Sequence, residues 1–181
     1  MYTKARIAGH PIHPMVVAFP VAFYVATAVA LIVFGGAHDL FWYRAAFWTN
    51  LAGIVMAALA AVPGAIDLFT LPARSRARYT GLRHAGFNVA ALILFIISDV
   101  VIALGMRHHT YALAAPLVLS LIGVGATVCA GWLGWSLVQT HHVGVKPTTH
   151  AIPSEPYNEV DDLDALVIPD RRRAHEVTLR H

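Results

Sequence analysis

Four stretches of this chain are almost free of charge and long enough to cross a membrane, and no other feature limits the fold so tightly. Pro14 to Phe34 and Ala45 to Ile66 hold no charged residue, Ala85 to Met106 holds only Asp99, and Thr110 to Thr140 holds none. A hydrocarbon layer of about 30 Å needs roughly 20 helical residues. A soluble domain carries about 25% charged residues; this chain of 181 residues carries 13%, with 57% apolar. The reading is an integral membrane protein, all-α, with helices at about 14–34, 45–68, 84–106 and 112–140. Short links force neighbouring helices to run antiparallel, so the expected architecture is an up-down-up-down four-helix bundle in a lipid bilayer. The first run is longer than the core of a signal peptide and reads as a retained helix.

Residues 1–145 form this transmembrane domain. The tail, residues 146–181, changes character: four prolines, the acidic run Glu159, Asp161, Asp162 and Asp164, then Arg171 to Arg173. With too few apolar residues for a core, it reads as a mostly disordered polar tail. The sequence pI of about 9.3 does not signal nucleic acid, because the basic residues fall where membrane topology uses them. Arg74, Arg76, Arg78 and Arg83 lie between the second and third helices, and Lys4, Arg6 and Lys146 near the chain ends, against only Arg44 and Arg107 in the other links. That asymmetry places both termini in the cytoplasm. The lone Cys129 can form no intramolecular disulfide and says nothing of compartment.

The most site-like run is Gly9-His10-Pro11-Ile12-His13-Pro14. Proline restricts itself and the residue before it, so His10 and His13 are expected on a stiff, non-helical lead-in. His84, His141, His142 and Asp67 fall at the same end. Helical spacing puts His84, Asn88, Phe95 and Asp99 on one face of the third helix, and Asn50, Ala57, Ala61, Gly64 and Asp67 on one face of the second. Gly123, Thr127, Ala130 and Gly134 make a small-residue face on the fourth. Such stripes serve packing first, whereas a carboxyl within a span is a functional candidate by default. Trp42, Tyr43, Trp48, Trp132 and Trp135 read as interfacial anchors.

In a ring of four helices the first and third are diagonal, so His13 and His84 are expected to face each other. Two opposed imidazoles suit axial ligation of a b-type haem and equally suit a transition metal ion. In the haem reading His13 and His84 are ligands, Asn88 supports them, and Arg83 balances charge together with Arg6. In the metal reading His10, His13, His84 and His141 cluster, with Asp67 as ligand or as acceptor for an imidazole N–H. Each half of the chain starts from a histidine, a similarity too slight in sequence to use.

The run Gly-His-Pro-Ile-His-Pro-Met-Val-Val-Ala-Phe-Pro at 9–20 resembles the opening of a bacterial membrane-protein family catalogued as domain of unknown function 2231. So do Ala-Val-Pro-Gly-Ala-Ile-Asp-Leu at 61–68, His84 with Asn88, and Gly-Trp-Leu-Gly-Trp-Ser-Leu-Val at 131–138 leading into His-His-Val-Gly-Val at 141–145. The resemblance implies a four-helix domain of the bacterial cytoplasmic membrane. Relatives joined to Rieske or cytochrome c-like domains point by association to electron transfer, with quinone or a separate redox protein as partner. A cofactor-free accessory subunit of a membrane complex and an ion or metal transporter are the alternatives.

Overall fold

The computed structural model describes residues 5–8 and 10–144, so the expectation for residues 146–181 lies outside the described residues. Its elements are a two-residue bridge, β1 (Arg6–Ile7) paired antiparallel with β2 (His10–Pro11), then α1 (Ile12–Val16), α2 (Ala18–Ala37), α3 (Leu40–Thr70), α4 (Arg76–His108) and α5 (Ala114–Gln139). α1 and α2 together make the first of four apolar spans. Ala8 turns the bridge at a φ of 48°, and the backbone N–H of Ala5 donates to Asp67 Oδ1 at 3.2 Å, fastening the lead-in to the end of α3.

His13 is helical, contrary to the non-helical lead-in expected. Proline in a first helical turn removes an N–H that has no intrahelical partner in any case, so Pro14 is compatible with α1. Two helices also begin earlier than hydropathy suggested. Asp39 caps α3 by accepting from the N–H of Phe41, and Ser75 caps α4 by accepting from the N–H of Arg78. Capping residues decide where these helices start, and long arginine stems let the first turns of α4 continue past the hydrocarbon edge.

α2 packs on α3 and α4 on α5 as two hairpins, and α3 against α4 with α2 against α5 closes the ring. The outward faces are apolar and exposed, as with Val29, Leu59, Ile93 and Val128, which fits a lipid surround.

The buried positions reveal a repeat. From Ala91 onward the buried residues of α4 are Ala91, Phe95, Ser98, Ile102 and Gly105, each 71 residues after a buried residue of α2: Pro20, Tyr24, Thr27, Leu31 and Phe34. The buried residues of α5, namely Pro116, Ser120, Gly123 and Ala130, each lie 70 residues after a buried residue of α3: Ala46, Asn50, Gly53 and Ala60. The contacts repeat in part. Thr27 Oγ1 meets Thr49 Oγ1 at 3.1 Å, and Ser98 Oγ, which matches Thr27, meets Ser120 Oγ at 3.1 Å, one position beyond the match of Thr49. A Cβ on Gly53 would strike the Tyr24 ring, and one on Gly123 the Phe95 ring. Both hairpin entries end in a histidine with left-handed backbone, His38 and His109. The domain is one helical hairpin used twice, with both copies running in the same direction, so the pseudo-two-fold axis lies along the membrane normal.

Candidate functional site: two imidazoles on the pseudo-two-fold axis

Residues that are equivalent under a two-fold and touch each other must meet on its axis. Tyr24 and Phe95 do so as stacked rings with centroids 3.7 Å apart, and nearer the start of both first helices His13 and His84 do so at 6.0 Å and 87°. The expected diagonal meeting is therefore formed.

Each ring is held the same way. His13 Nδ1 lies 2.9 Å from the carbonyl of Ala60, and His84 Nδ1 lies 2.8 Å from the carbonyl of Ala130. A carbonyl only accepts, so Nδ1 carries the proton in both rings and the lone pair of each neutral imidazole sits on Nε2. The glycine one turn further along the accepting helix makes room. A Cβ at Gly64 would lie 2.8 Å from His13 Nδ1, and one at Gly134 would lie 3.1 Å from His84 Cε1. An alanine whose carbonyl accepts, followed four residues later by a glycine that clears the ring, is thus the local device, built once per hairpin. It also binds the hairpins internally, since each imidazole ties the first helix of its copy to the second.

The two half-sites differ at Asn88. Its Nδ2 donates to His84 Nε2 at 3.1 Å and to the His84 carbonyl at 2.9 Å, so the amide caps the lone pair itself. The expectation was a supporting role behind the ring. At the equivalent position of the first copy stands Val17, which has no amide to offer.

The other candidates go elsewhere. His10 is exposed, with Nδ1 3.1 Å from the carbonyl of Ala8 in its own turn. His141 follows the end of α5 and places Nε2 3.4 Å from Thr80 Oγ1. Asp67 receives the N–H of Ala5, while the acceptor for His13 Nδ1 is a main-chain carbonyl. The compact cluster of His10, His13, His84 and His141 with Asp67 is not assembled: among the described residues no group of three or more His, Cys, Asp or Glu side chains is placed to hold a metal ion. Arg83 is exposed and lies over the Tyr79 ring at 5.8 Å. The small-residue face of α5 is not an open slot either, because the Phe95 ring fills the notch at Gly123 and the His84 ring the notch at Gly134. Tyr43 is fully buried and donates to the carbonyl of Ala112 at 3.3 Å, so it is a core residue and not an interfacial anchor. Trp48, Trp132 and Trp135 are exposed.

A family model described as "Predicted membrane protein (DUF2231)" matches residues 9–147. The chain belongs to this family of membrane proteins of unknown function. The match runs from the Gly9 that opens the histidine motif past the end of the fourth span, so it takes in both half-sites. Comparisons with curated proteins and with solved structures find no match.

Sequence reasoning found the two histidines and placed Gly64, Ala130 and Gly134 on small-residue faces, but it did not name Ala60 and gave none of the four a part in holding the rings. Two alanines and two glycines in apolar helices carry no chemical signal of their own. Their signal is the repeat: His13 stands 47 residues before its carbonyl and His84 stands 46 before its own. Aligning the chain on itself from the two histidines would have exposed it.

Proposed function

We propose that this DUF2231 protein is a small redox protein of the bacterial cytoplasmic membrane, with His13 and His84 as paired ligands of a b-type haem near the cytoplasmic face. The observation that carries the reading is that both imidazoles commit Nδ1–H to a main-chain carbonyl and keep the lone pair on Nε2. That is the arrangement in which histidines ligate metals, the second ring nitrogen being fixed by a hydrogen bond. The donor set favours haem over a bare ion. A directly bound ion draws three or four protein ligands, whereas haem iron takes only two axial ones. The two rings also lie together on the pseudo-two-fold axis, with centroids 6.0 Å apart, so one group could reach both.

Haem ligated by two imidazoles supplies one-electron chemistry. In this reading the chain's own part is to hold both rings through Ala60 and Ala130 and to swing the Asn88 amide off His84 Nε2 when the ligand binds. Arg83, at the same end, balances charge on the acidic edge of the group. Arg76, Arg78 and Arg83 in the first turns of α4 support the cytoplasmic assignment of that end. Electrons would pass between a quinone-level donor and a separate protein.

The test is an absorption spectrum of detergent-purified protein, oxidised and dithionite-reduced, with metal analysis on the same sample. Haem bands that sharpen on reduction, lost in His13→Ala and in His84→Ala but kept in His38→Asn, are expected. Asparagine is chosen because His38 occupies the left-handed region, which asparagine tolerates. The 3.1 Å bond from Asn88 to His84 Nε2 favours one second reading, a cofactor-free accessory subunit in which the imidazoles only clamp helices. Colourless, metal-free protein that co-purifies with a fixed partner would decide for it.

A further inference from the structure

Three buried oxygen atoms in the membrane interior make no hydrogen bond with a described residue: Tyr24 Oη, Asn50 Oδ1 and Asp99 Oδ1. They belong to residues gathered around Phe95. The Tyr24 ring stacks on its face, the Asn50 amide donates to its carbonyl at 3.0 Å, and Asp99 stands one turn further along α4 with its carboxyl facing the same amide. Tyr24 and Asn50 are 4% and 0% exposed. Asp99 lies nine residues from the nearer end of α4, about 13 Å along the helix, so its carboxyl is within the hydrocarbon layer.

The repeat supplies an internal control for what these groups do. In the other copy Tyr24 is matched by Phe95, Asn50 by Ser120 and Asp99 by Ala28, and these three matches are buried. The same hairpin packs without the phenol, without the amide and without the carboxyl. Helix packing therefore does not require them, and all three departures from symmetry fall within about one turn of Phe95.

We propose that Tyr24, Asn50 and Asp99 form a proton-binding site inside the membrane, in which Asp99 takes up and releases one proton in exchange with solvent. The carboxylate form gains the Asn50 amide as donor, and the acid form removes a charge from hydrocarbon, where an isolated carboxylate is costly. Among the described residues no cationic side chain belongs to the middle of a span at this depth. α1 has His13, α2 offers Tyr24 as its titratable group, α5 offers only Cys129, α3 has Tyr43, Arg44 and Asp67 towards its ends, and α4 has Tyr79, its arginines and its histidines towards its ends. A hard metal ion is a poor occupant, because such ions take six or more oxygen ligands and the nearby hydroxyls of Thr27 and Thr49 are already bonded. The proposal does not rest on the haem reading.

The experiment is an infrared pH titration of protein reconstituted in lipid, in H2O and D2O, between about pH 4 and 9. Wild type should show a protonated-carboxyl band that shifts in D2O and fades as pH rises, and Asp99→Ala, which copies Ala28, should lose it. Asn50→Ser, which copies Ser120, should move the midpoint by about one unit or more, since the amide beside the carboxyl is gone. Tyr24→Phe, which copies Phe95, should move it as well. A band that never appears, that ignores pH, that survives in Asp99→Ala, or that is titrated away by sodium or potassium ions at fixed pH would overturn the proposal. Should Asp99→Ala fail to fold, unchanged midpoints in both folded Asn50→Ser and Tyr24→Phe would overturn it equally. None of these readings needs haem, so failure here leaves the histidine site untouched, and the reverse holds too.

Discussion

At the scale of single residues the site depends on what two glycines lack. A methyl group on Gly64 meets the His13 ring at 2.8 Å and one on Gly134 meets the His84 ring at 3.1 Å, whereas a Cβ on Gly125 meets nothing within 4 Å. Crowding of this kind costs about 1–3 kcal/mol when the neighbour cannot yield. Gly64→Ala should therefore destabilise the protein more than Gly134→Ala, and Gly125→Ala should leave it unchanged or slightly more stable; thermal unfolding in detergent measures all three. If the imidazoles are ligands, Gly64→Ala should also lower haem content, while an equally stable variant elsewhere should not. Asn88 makes a separable contribution. Asn88→Ala frees the lone pair on His84 Nε2, so under the haem reading it should keep or tighten binding of added haem, and under the accessory-subunit reading it should only remove two bonds within α4, visible as a small loss of stability without any haem effect.

At the scale of elements, each hairpin is fastened by one imidazole–carbonyl bond at matching positions and by one hydroxyl pair whose partners, Thr49 and Ser120, are offset by one residue. Interhelical hydrogen bonds of this kind in a membrane contribute about 0.6 kcal/mol on average, so neither pair by itself decides the fold. A double-mutant cycle on Ser98→Ala and Ser120→Ala should give a coupling of about that size, and a cycle on Thr27 and Thr49, whose hydroxyls meet at the same 3.1 Å, should agree with it. A large difference between the two cycles would show that the copies, alike in geometry, are not alike in energy. The helix ends are set locally, by Asp39 and Ser75 as caps and by the left-handed His38 and His109. For that reason the starts of α3 and α4 lay outside the apolar runs that had located the helices.

At the scale of the whole molecule, two copies of one hairpin meet along an axis, and what lies on the axis belongs to both. The link from Leu71 to Ser75 joins the copies without contributing to either half-site. Co-expressed fragments split within this link should each insert as a hairpin, since a transmembrane hairpin satisfies its backbone internally. They should then co-purify as a pair. Under the haem reading, only the pair should bind haem. His13→Ala and His84→Ala should impair it to a similar degree, because each removes one of two equivalent ligands.

The sequence by itself determined that this is a membrane protein with four helical spans, because hydrocarbon leaves a polar backbone few alternatives and long uncharged runs state that outright. It also determined that His13 and His84 share one end and lie diagonally, since short links between antiparallel helices permit little else. Only the tertiary structure decided which of the remaining histidines join them. His10 folds into its own turn and His141 turns to Thr80, choices made by a bridge and a helix end that hydropathy does not register. Only the structure showed the repeat, because equivalent positions need only fill equivalent space: proline matches alanine, tyrosine matches phenylalanine, and asparagine matches serine. Where such a match is chemically unequal, as at Tyr24, Asn50 and Asp99, the difference becomes visible only after packing has put the two copies side by side.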